Sequence, residues 1–174
     1  MYVEEHPLAL ALDIDVIHAM LGRWLDHPVE AGLIARRLAL EMARVQLSAG
    51  RDVLIPQFLG RLDFALDLER LCRQVGAGFV ELVLLSSAED AGERFVRRSR
   101  HPETSVQRDA QALLEQSGGV DELPAMYERL LEVVASRPQT ITMTTVDGQV
   151  EQDLPRPPRP PRQGVSNSTP PADE

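Results

Sequence analysis

The stretch "LALALDID", residues 8–15, joins an alternating apolar run to two carboxylates that stand one residue apart. Side chains two positions apart leave a strand on the same face, so the pattern predicts a β-strand over 8–14 with Asp13 and Asp15 together at its end. Two like charges at that spacing repel each other unless a cation, a hydroxyl proton or water lies beside them. The stretch therefore predicts a candidate site where the strand ends.

Short apolar runs and helical patterns alternate along the rest of the chain. Strands separated by helices favour parallel pairing through right-handed crossovers, so the predicted fold is α/β, a three-layer sandwich with a mostly parallel sheet. Ligands in such sheets bind beyond the carboxyl ends of the strands, which adds Gln57 and Ser86-Ser87 to the candidate site. The further predicted strands are 52–59, 79–85 and 140–146, and the predicted helices are 16–25, 28–48, one with an apolar stripe over 64–75 that stops at Gly76, one from 88 onward, 105–116 and 121–136.

The composition limits the classes of function. The chain has 174 residues and a formal net charge of −9, which argues against nucleic-acid or anionic-membrane binding through bulk electrostatics. It shows no signal peptide and no apolar run long enough to span a bilayer, and it has one cysteine, so a cytoplasmic location is expected. Cys72 falls on the apolar stripe of the helix that ends at Gly76, where a core role is favoured over a nucleophile. The four histidines show no metal-ligand spacing, so no metal site is expected.

Beyond Leu154 the composition changes to "PRPPRPPRQGVSNSTPPADE". This segment lacks the apolar periodicity needed to offset the entropy of ordering, so residues 153–174 are predicted to form a disordered tail with polyproline II character. Residues 1–152 form the predicted folded domain. A solvated tail is the favoured interpretation, and a ligand for an SH3-like groove is the alternative.

The order of features over about 5–150 resembles a known family. "LALALDID", "MLGRW", "AGRDVLIPQFLGR" and "FVELVLLSSAEDAGERFVRR" follow one another as in the small-molecule and polynucleotide kinases of the P-loop NTPases, such as chloramphenicol phosphotransferase, gluconate kinase, shikimate kinase and zeta toxins. The resemblance implies ATP and Mg²⁺ as cofactors. It also implies phosphoryl transfer from ATP to a hydroxyl of a small molecule or a polynucleotide.

The resemblance also implies roles for particular residues. Asp13 or Asp15 would accept the proton of the substrate hydroxyl or orient Mg²⁺ through water, because the attacking oxygen must lose its proton. An alternative is that Asp15 only caps the following helix. The other implied roles are acceptor binding by Gln57 and Arg61, and phosphate contact from a lid by Arg94, Arg97 and Arg98.

The lid residues have an ordinary alternative as well. Arginines three and four apart share one helix face, where they could hold phosphoryl oxygens in pairs of hydrogen bonds. The same three side chains could instead form a solvated face paired with Glu89 or Glu93. Both interpretations stay open on the sequence alone.

One family element is missing from the sequence. The family's first strand and its G-x-x-x-x-G-K-[ST] loop would stand before residue 8, "YVEEHP" resembles the last turn of the helix after that loop, and all 18 basic residues are arginine. The chain is therefore interpreted as an N-terminally shortened relative, through truncation or a downstream start codon. Two functions stay open: a kinase in a longer product, or a non-catalytic domain that binds a partner or ligand. Without the first strand, strands 52–58 and 79–85 should either pair with each other or keep an open apolar edge.

Overall fold

A computed structural model describes residues 2–57, 62–100, 108, 112 and 119–144 of the chain. The described part is mixed α/β and mostly helical. Its elements in chain order are α1 (Tyr2–Glu5), β1 (Leu10–Ala11), α2 (Ile14–Ala19), a 3₁₀ turn (Trp24–Asp26), α3 (Pro28–Ser48), β2 (Val53–Leu54), α4 (Leu62–Val75), β3 (Leu82–Leu85), α5 (Ala88–Arg100), a second 3₁₀ turn (Gly119–Glu122), α6 (Leu123–Ala135) and β4 (Ile141–Thr144).

The strands pair in parallel, as predicted. β1 pairs with β2 with Leu10 opposite Val53, and β3 pairs with β4 with Leu82 opposite Ile141. The described strands form two separate two-stranded sheets rather than one sheet. Closure of a four-stranded sheet by direct pairing of β2 with β3 is therefore wrong for the described residues.

The stretch that predicts a strand over 8–14 divides between two elements. The strand covers only Leu10–Ala11, and α2 already begins at Ile14. Asp13 ends the strand because its extended backbone (φ −89°, ψ 119°) and its carboxylate, which accepts a hydrogen bond from the Asp15 N–H at 2.9 Å, make it the N-cap of α2. The prediction that Asp13 and Asp15 share one face of a strand is wrong, and so is the start of this helix at residue 16.

The core lies between β1, β2 and the helices α2, α3 and α4. The apolar stripe predicted for α4 is confirmed, with Phe64, Leu68, Leu71 and Cys72 buried. Gly76 follows the helix at φ +70°, a conformation that favours glycine. The other buried residues of this hydrophobic core are Leu12, Ile14, Ile17, Ala35, Ala39 and Ala43.

Helix α3 has the predicted bounds and an unusual distribution of side-chain size. It begins at Pro28 and is followed by Gly50 at φ +69°. Its buried face is built from small residues, so its backbone approaches α2 and α4 closely. The larger apolar side chains of the next face, Ile34, Leu38, Met42 and Val45, are 39 to 70% exposed.

Strand β3 is buried on one face only. The nearly continuous apolar run at 79–85 predicts a strand buried on both faces, and this is wrong, because Val83 is 9% exposed whereas Leu82 and Leu84 are 42% and 48% exposed. The apolar spacing of helix α6 predicts six core residues, namely Leu123, Met126, Tyr127, Leu130, Leu131 and Val134. Of these only Leu130 is buried, and Leu131 is 40% exposed. The described elements therefore cover one face of the β3–β4 pair.

A group of ion pairs and hydrogen bonds connects the residues just before β3 and β4. Arg137 donates from Nε to Glu81 at 2.5 Å and from Nη2 to Glu69 at 3.4 Å. Thr140 also donates its hydroxyl to Glu81, at 3.0 Å. One guanidinium thus joins α4, the start of β3 and the loop before β4.

Several predictions fall on other parts of the chain. The tail at 153–174 lies outside the described residues, and the helix over 105–116 lies almost wholly outside them. Among the described helices, none combines the length and the hydropathy needed to cross a membrane.

Candidate functional site

The parallel pairing of β1 and β2 brings their carboxyl ends to one edge. The Leu12 N–H donates to the Leu54 carbonyl at 2.7 Å, so the segments that follow β1 and β2 leave the sheet side by side. Asp13 comes directly after Leu12, and Gln57 comes three residues after Leu54. Asp13, Asp15, His18 and Gln57 define what is called the acidic edge below.

The two carboxylates of the acidic edge have different surroundings. Asp13 uses Oδ1 to cap α2, where it accepts from the Asp15 N–H. The side chain of Asp15 is 57% exposed in the first turn of α2, and its one ion-pair neighbour among the described residues is His18. Asp15 is therefore the carboxylate that an approaching molecule can reach, whereas Asp13 is committed to the backbone.

The pKa of Asp15 is raised above its ordinary value of 3.8. Partial burial is the largest cause, the negative charge of Asp13 adds to it, and His18 acts in the opposite direction. A carboxyl group with a raised pKa is a stronger base once ionised, and a cation beside it would relieve the unfavourable charge.

His18 is the residue of this edge that the sequence analysis missed. Its ring is only 9% exposed, and Nδ1 lies 3.7 Å from Oδ1 of Asp15. The ring stacks on Trp24 with centroids 5.1 Å apart. A Cβ added to Gly32 would lie 3.5 Å from both His18 Nε2 and the Arg36 guanidinium, an ordinary contact distance, so both groups lie close to α3 at this position.

Burial lowers the pKa of His18, the positive charge of Arg36 lowers it further, and Asp15 opposes the shift. A neutral imidazole with one donor and one acceptor nitrogen is the expected form at pH 7. The signal available in the sequence was the i, i+3 spacing of Asp15 and His18, which places them on one face of a helix but requires the helix to begin at Ile14.

Gln57 also carries a buried polar atom. Its Oε1 is fully buried and makes no hydrogen bond, and the same holds for Nδ1 and Nε2 of His18. Arg61, to which the family resemblance gives a role in acceptor binding together with Gln57, lies outside the described residues.

The predicted lid arginines belong to the other strand pair. Arg94 donates to the Ser86 hydroxyl at the carboxyl end of β3, and Tyr127 donates to the Ser86 carbonyl. Ser87 caps α5, since its Oγ accepts from the Asp90 N–H at 3.0 Å. The guanidinium of Arg94 therefore lies at a strand end rather than on a purely solvated face. Arg97 lies on the same helix, and the side chain of Arg98 is outside the described part of the structure.

Metal-ligand geometry is absent from the described residues. No group of three or more histidine, cysteine, aspartate or glutamate side chains there could hold a metal ion. Asp13 and Asp15 alone give two carboxylates, fewer protein ligands than a dedicated cation site uses.

The chain matches no protein-family model, no curated protein and no solved structure. The chemistry proposed for the acidic edge therefore rests on its own residues and their geometry.

Proposed function

We propose that this chain carries the acceptor side of a P-loop kinase-like domain. The parent activity is phosphoryl transfer from ATP to a hydroxyl of a small molecule or polynucleotide. The observation that supports it is the parallel pairing of β1 and β2, which brings Asp13 and Gln57 to one sheet edge. On this proposal both strand pairs belong to one parallel sheet of a three-layer sandwich, with its central strand outside the described strands.

The chemistry assigned to the acidic edge is general-base catalysis. Asp15 is the better base of the two carboxylates, because Asp13 already accepts a backbone hydrogen bond whereas Asp15 is exposed. An acceptor hydroxyl that donates to Asp15 would give up its proton there as its oxygen becomes a nucleophile. His18, behind Asp15, would limit the rotation of that carboxylate.

The residues of this chain do not fit the triphosphate of ATP. The 174-residue sequence contains neither a G-x-x-x-x-G-K-[ST] motif nor any lysine. ATP and Mg²⁺ would supply the phosphoryl group only through a loop from outside these residues. That observation favours a second candidate function, a non-catalytic domain that binds an acceptor-like ligand or a partner.

Two binding measurements test this proposal. Calorimetric titration with Mg·ATP should show no binding, and micromolar affinity would contradict the view that these residues do not bind nucleotide. Equilibrium dialysis against a mixture of small hydroxyl compounds, read by mass spectrometry, should show retention of at least one compound.

A matched pair of variants locates the retained compound. Asp15→Asn should weaken its retention strongly, because a neutral amide oxygen is a weaker hydrogen-bond acceptor than a carboxylate. Asp67→Asn removes one carboxylate from α4, where Asp67 pairs with Arg70, and should leave retention unchanged. Retention by Asp15→Asn equal to that of the wild type would refute the acceptor role of the acidic edge.

A further inference from the structure

Helix α3 carries a row of large apolar side chains on its exposed side. Ile34, Leu38 and Met42 follow one another at intervals of four residues, so they form one ridge along the helix. They are 39%, 45% and 43% exposed, although the alanine face of the same helix is buried. Val45 extends the ridge by a turn and is 70% exposed. Monomeric proteins seldom expose large apolar side chains side by side, so these four residues, called the apolar row below, are a candidate contact surface.

The order of the apolar row suits a second copy of the same helix. Leu38 stands midway between Ile34 and Met42, four residues from each. When a second α3 runs antiparallel with a two-fold axis at Leu38, the two Leu38 side chains meet, and Ile34 of each copy meets Met42 of the other. A two-fold contact requires this reciprocity, since the same patch is used on both copies. Ridges of residues four apart also interdigitate in the commonest class of helix packing.

The charges beside the apolar row are balanced for such a contact. Two glutamates and two arginines lie along one side of the row, in a chain whose net charge is −9. They are Glu30, Arg37, Glu41 and Arg44. Because their charges sum to zero, two copies approach here with less repulsion than their net charges would otherwise produce.

The order of these charges favours the antiparallel arrangement. With the axis at Leu38, Arg37 of one copy and Glu41 of the other stand two residues apart in height, about 3 Å along the helix axis. Both lie on the same side of the contact, because a two-fold axis perpendicular to the helices brings the charged side of each copy to that of the other. Glu41 pairs with Arg44 of its own chain at 3.4 Å, and its side chain is 70% exposed. A carboxylate has acceptor sites for a second arginine.

The size of the contact sets its expected strength. Helix α3 has 21 residues. It is therefore about 30 Å long, and a face about 10 Å wide would bury about 300 Å² on each copy. Stable interfaces bury about 800 Å² on each partner, so a weak contact with a dissociation constant on the order of 100 µM is expected.

We propose that this chain forms a weak two-fold dimer through the apolar row of α3, with the two helices antiparallel and Leu38 at the axis. The inference does not depend on the chemistry proposed for the acidic edge. His18 of that edge lies near Gly32, which belongs to the buried face of α3 and not to the apolar row.

Analytical ultracentrifugation of the full chain tests the dimer. Over concentrations from about 5 to about 500 µM, which bracket the expected dissociation constant, the weight-average mass should rise from that of one chain towards that of two chains. The rise should stop at two, because a two-fold contact is closed. A chain that stays monomeric over this range would overturn the inference, whether another segment of the chain or a different protein covers the apolar row.

A matched pair of substitutions locates the contact. Leu38→Glu places two carboxylates opposite each other at the axis and should weaken self-association at least tenfold. The control Leu66→Glu makes the same change on α4, where Leu66 is 38% exposed, and should associate as the wild type does. Circular dichroism checks that both variants are folded. Unchanged association of folded Leu38→Glu would overturn the assignment to α3.

A charge exchange tests the orientation and keeps every apolar side chain in place. Arg37→Glu alone and Glu41→Arg alone each bring like charges together across the axis, so each should weaken the dimer a few-fold, and less at high salt. The double variant Arg37→Glu/Glu41→Arg restores opposite charges in both pairs and should recover most of the wild-type affinity. A double variant that associates no better than the single variants would overturn the antiparallel dimer.

Discussion

Removal of the Arg137 guanidinium tests which contact holds β3 and β4 to α4. The Arg137 side chain is 13% exposed and its partner Glu81 is 8% exposed, whereas Glu69, at 3.4 Å, is 29% exposed. The hydrogen bond that Arg137 donates to Glu81 raises the pKa of Arg137, so its guanidinium is fully charged at pH 7. The guanidinium also lies over the Phe79 ring, 5.9 Å from its centroid.

Arg137→Met keeps the length of the aliphatic side chain and leaves the buried Glu81 carboxylate without a counter-charge, with the Thr140 hydroxyl as its remaining donor. Removing one partner of a buried ion pair lowers the free energy of unfolding by about 3–5 kcal/mol. Because the Arg137 side chain is partly exposed, the lower end of this range, about 3 kcal/mol, is expected. In a chain of this size that loss corresponds to a fall in Tm of about 6–12 °C. Urea denaturation followed by circular dichroism measures the free energy of unfolding, and a thermal scan measures the Tm.

Two further variants make this prediction refutable. Arg70→Met removes an exposed pair, with side chains 59% and 42% exposed, and should cost about 0–1 kcal/mol. In the double variant Arg137→Met/Glu81→Gln the buried charge is gone, so about half of the lost stability should return. A loss for Arg137→Met no larger than that for Arg70→Met would refute the burial argument.

Three other predictions concern single side chains. Because the pKa of His18 is lowered in the folded state, the unfolded chain takes up a proton at higher pH than the folded chain does, and stability should fall as the pH drops below about 6.5 and through the folded pKa. The variant His18→Phe should flatten the dependence of urea-measured stability on pH between pH 7.5 and 5.5. A flat wild-type profile, or an equal flattening by the exposed-site control His27→Gln, would contradict this prediction. Ser87→Ala removes the oxygen that accepts from Asp90 and should cost about 1 kcal/mol of unfolding free energy by urea titration, with Ser87→Asp close to wild type. Burial raises the pKa of the Cys72 thiol, so a colourimetric disulfide reagent should react slowly with native protein and rapidly in urea, and equal rates would show that the thiol is accessible.

The sequence predicted helices well where local signals agree with tertiary packing. Pro28 and Gly50 mark the two ends of α3, and the apolar spacing of α4 identifies the side chains that pack into the core. Such signals act within a few residues of each other, so a single chain reveals them. The parallel sense of the strands was also predictable, because a helix between strands leaves little other choice.

The predicted burial of the strands and of α6 was less accurate. The apolar run at 79–85 indicates two buried faces, yet Leu82 and Leu84 face outward because the described elements cover one face of β3. Likewise, the periodicity of α3 cannot distinguish the alanine face that packs on α2 and α4 from the face of larger side chains that stays exposed. Apolar character permits burial, and a neighbouring element is still needed to produce it.

For the acidic edge, the sequence by itself determined that two carboxylates follow an apolar strand and that Gln57 follows the next one, since both facts depend only on chain order and parallel pairing. Only the tertiary structure decided what each group does. In the structure Asp13 is the N-cap of α2 and not the last residue of a strand. Asp15 therefore lies in the first turn of α2, with His18 next to it on the same helix face. The physical reason is that a backbone N–H needing a partner at the helix start competes for the same carboxylate, and the outcome depends on packing that buries Leu12 and Ile14 on either side of it.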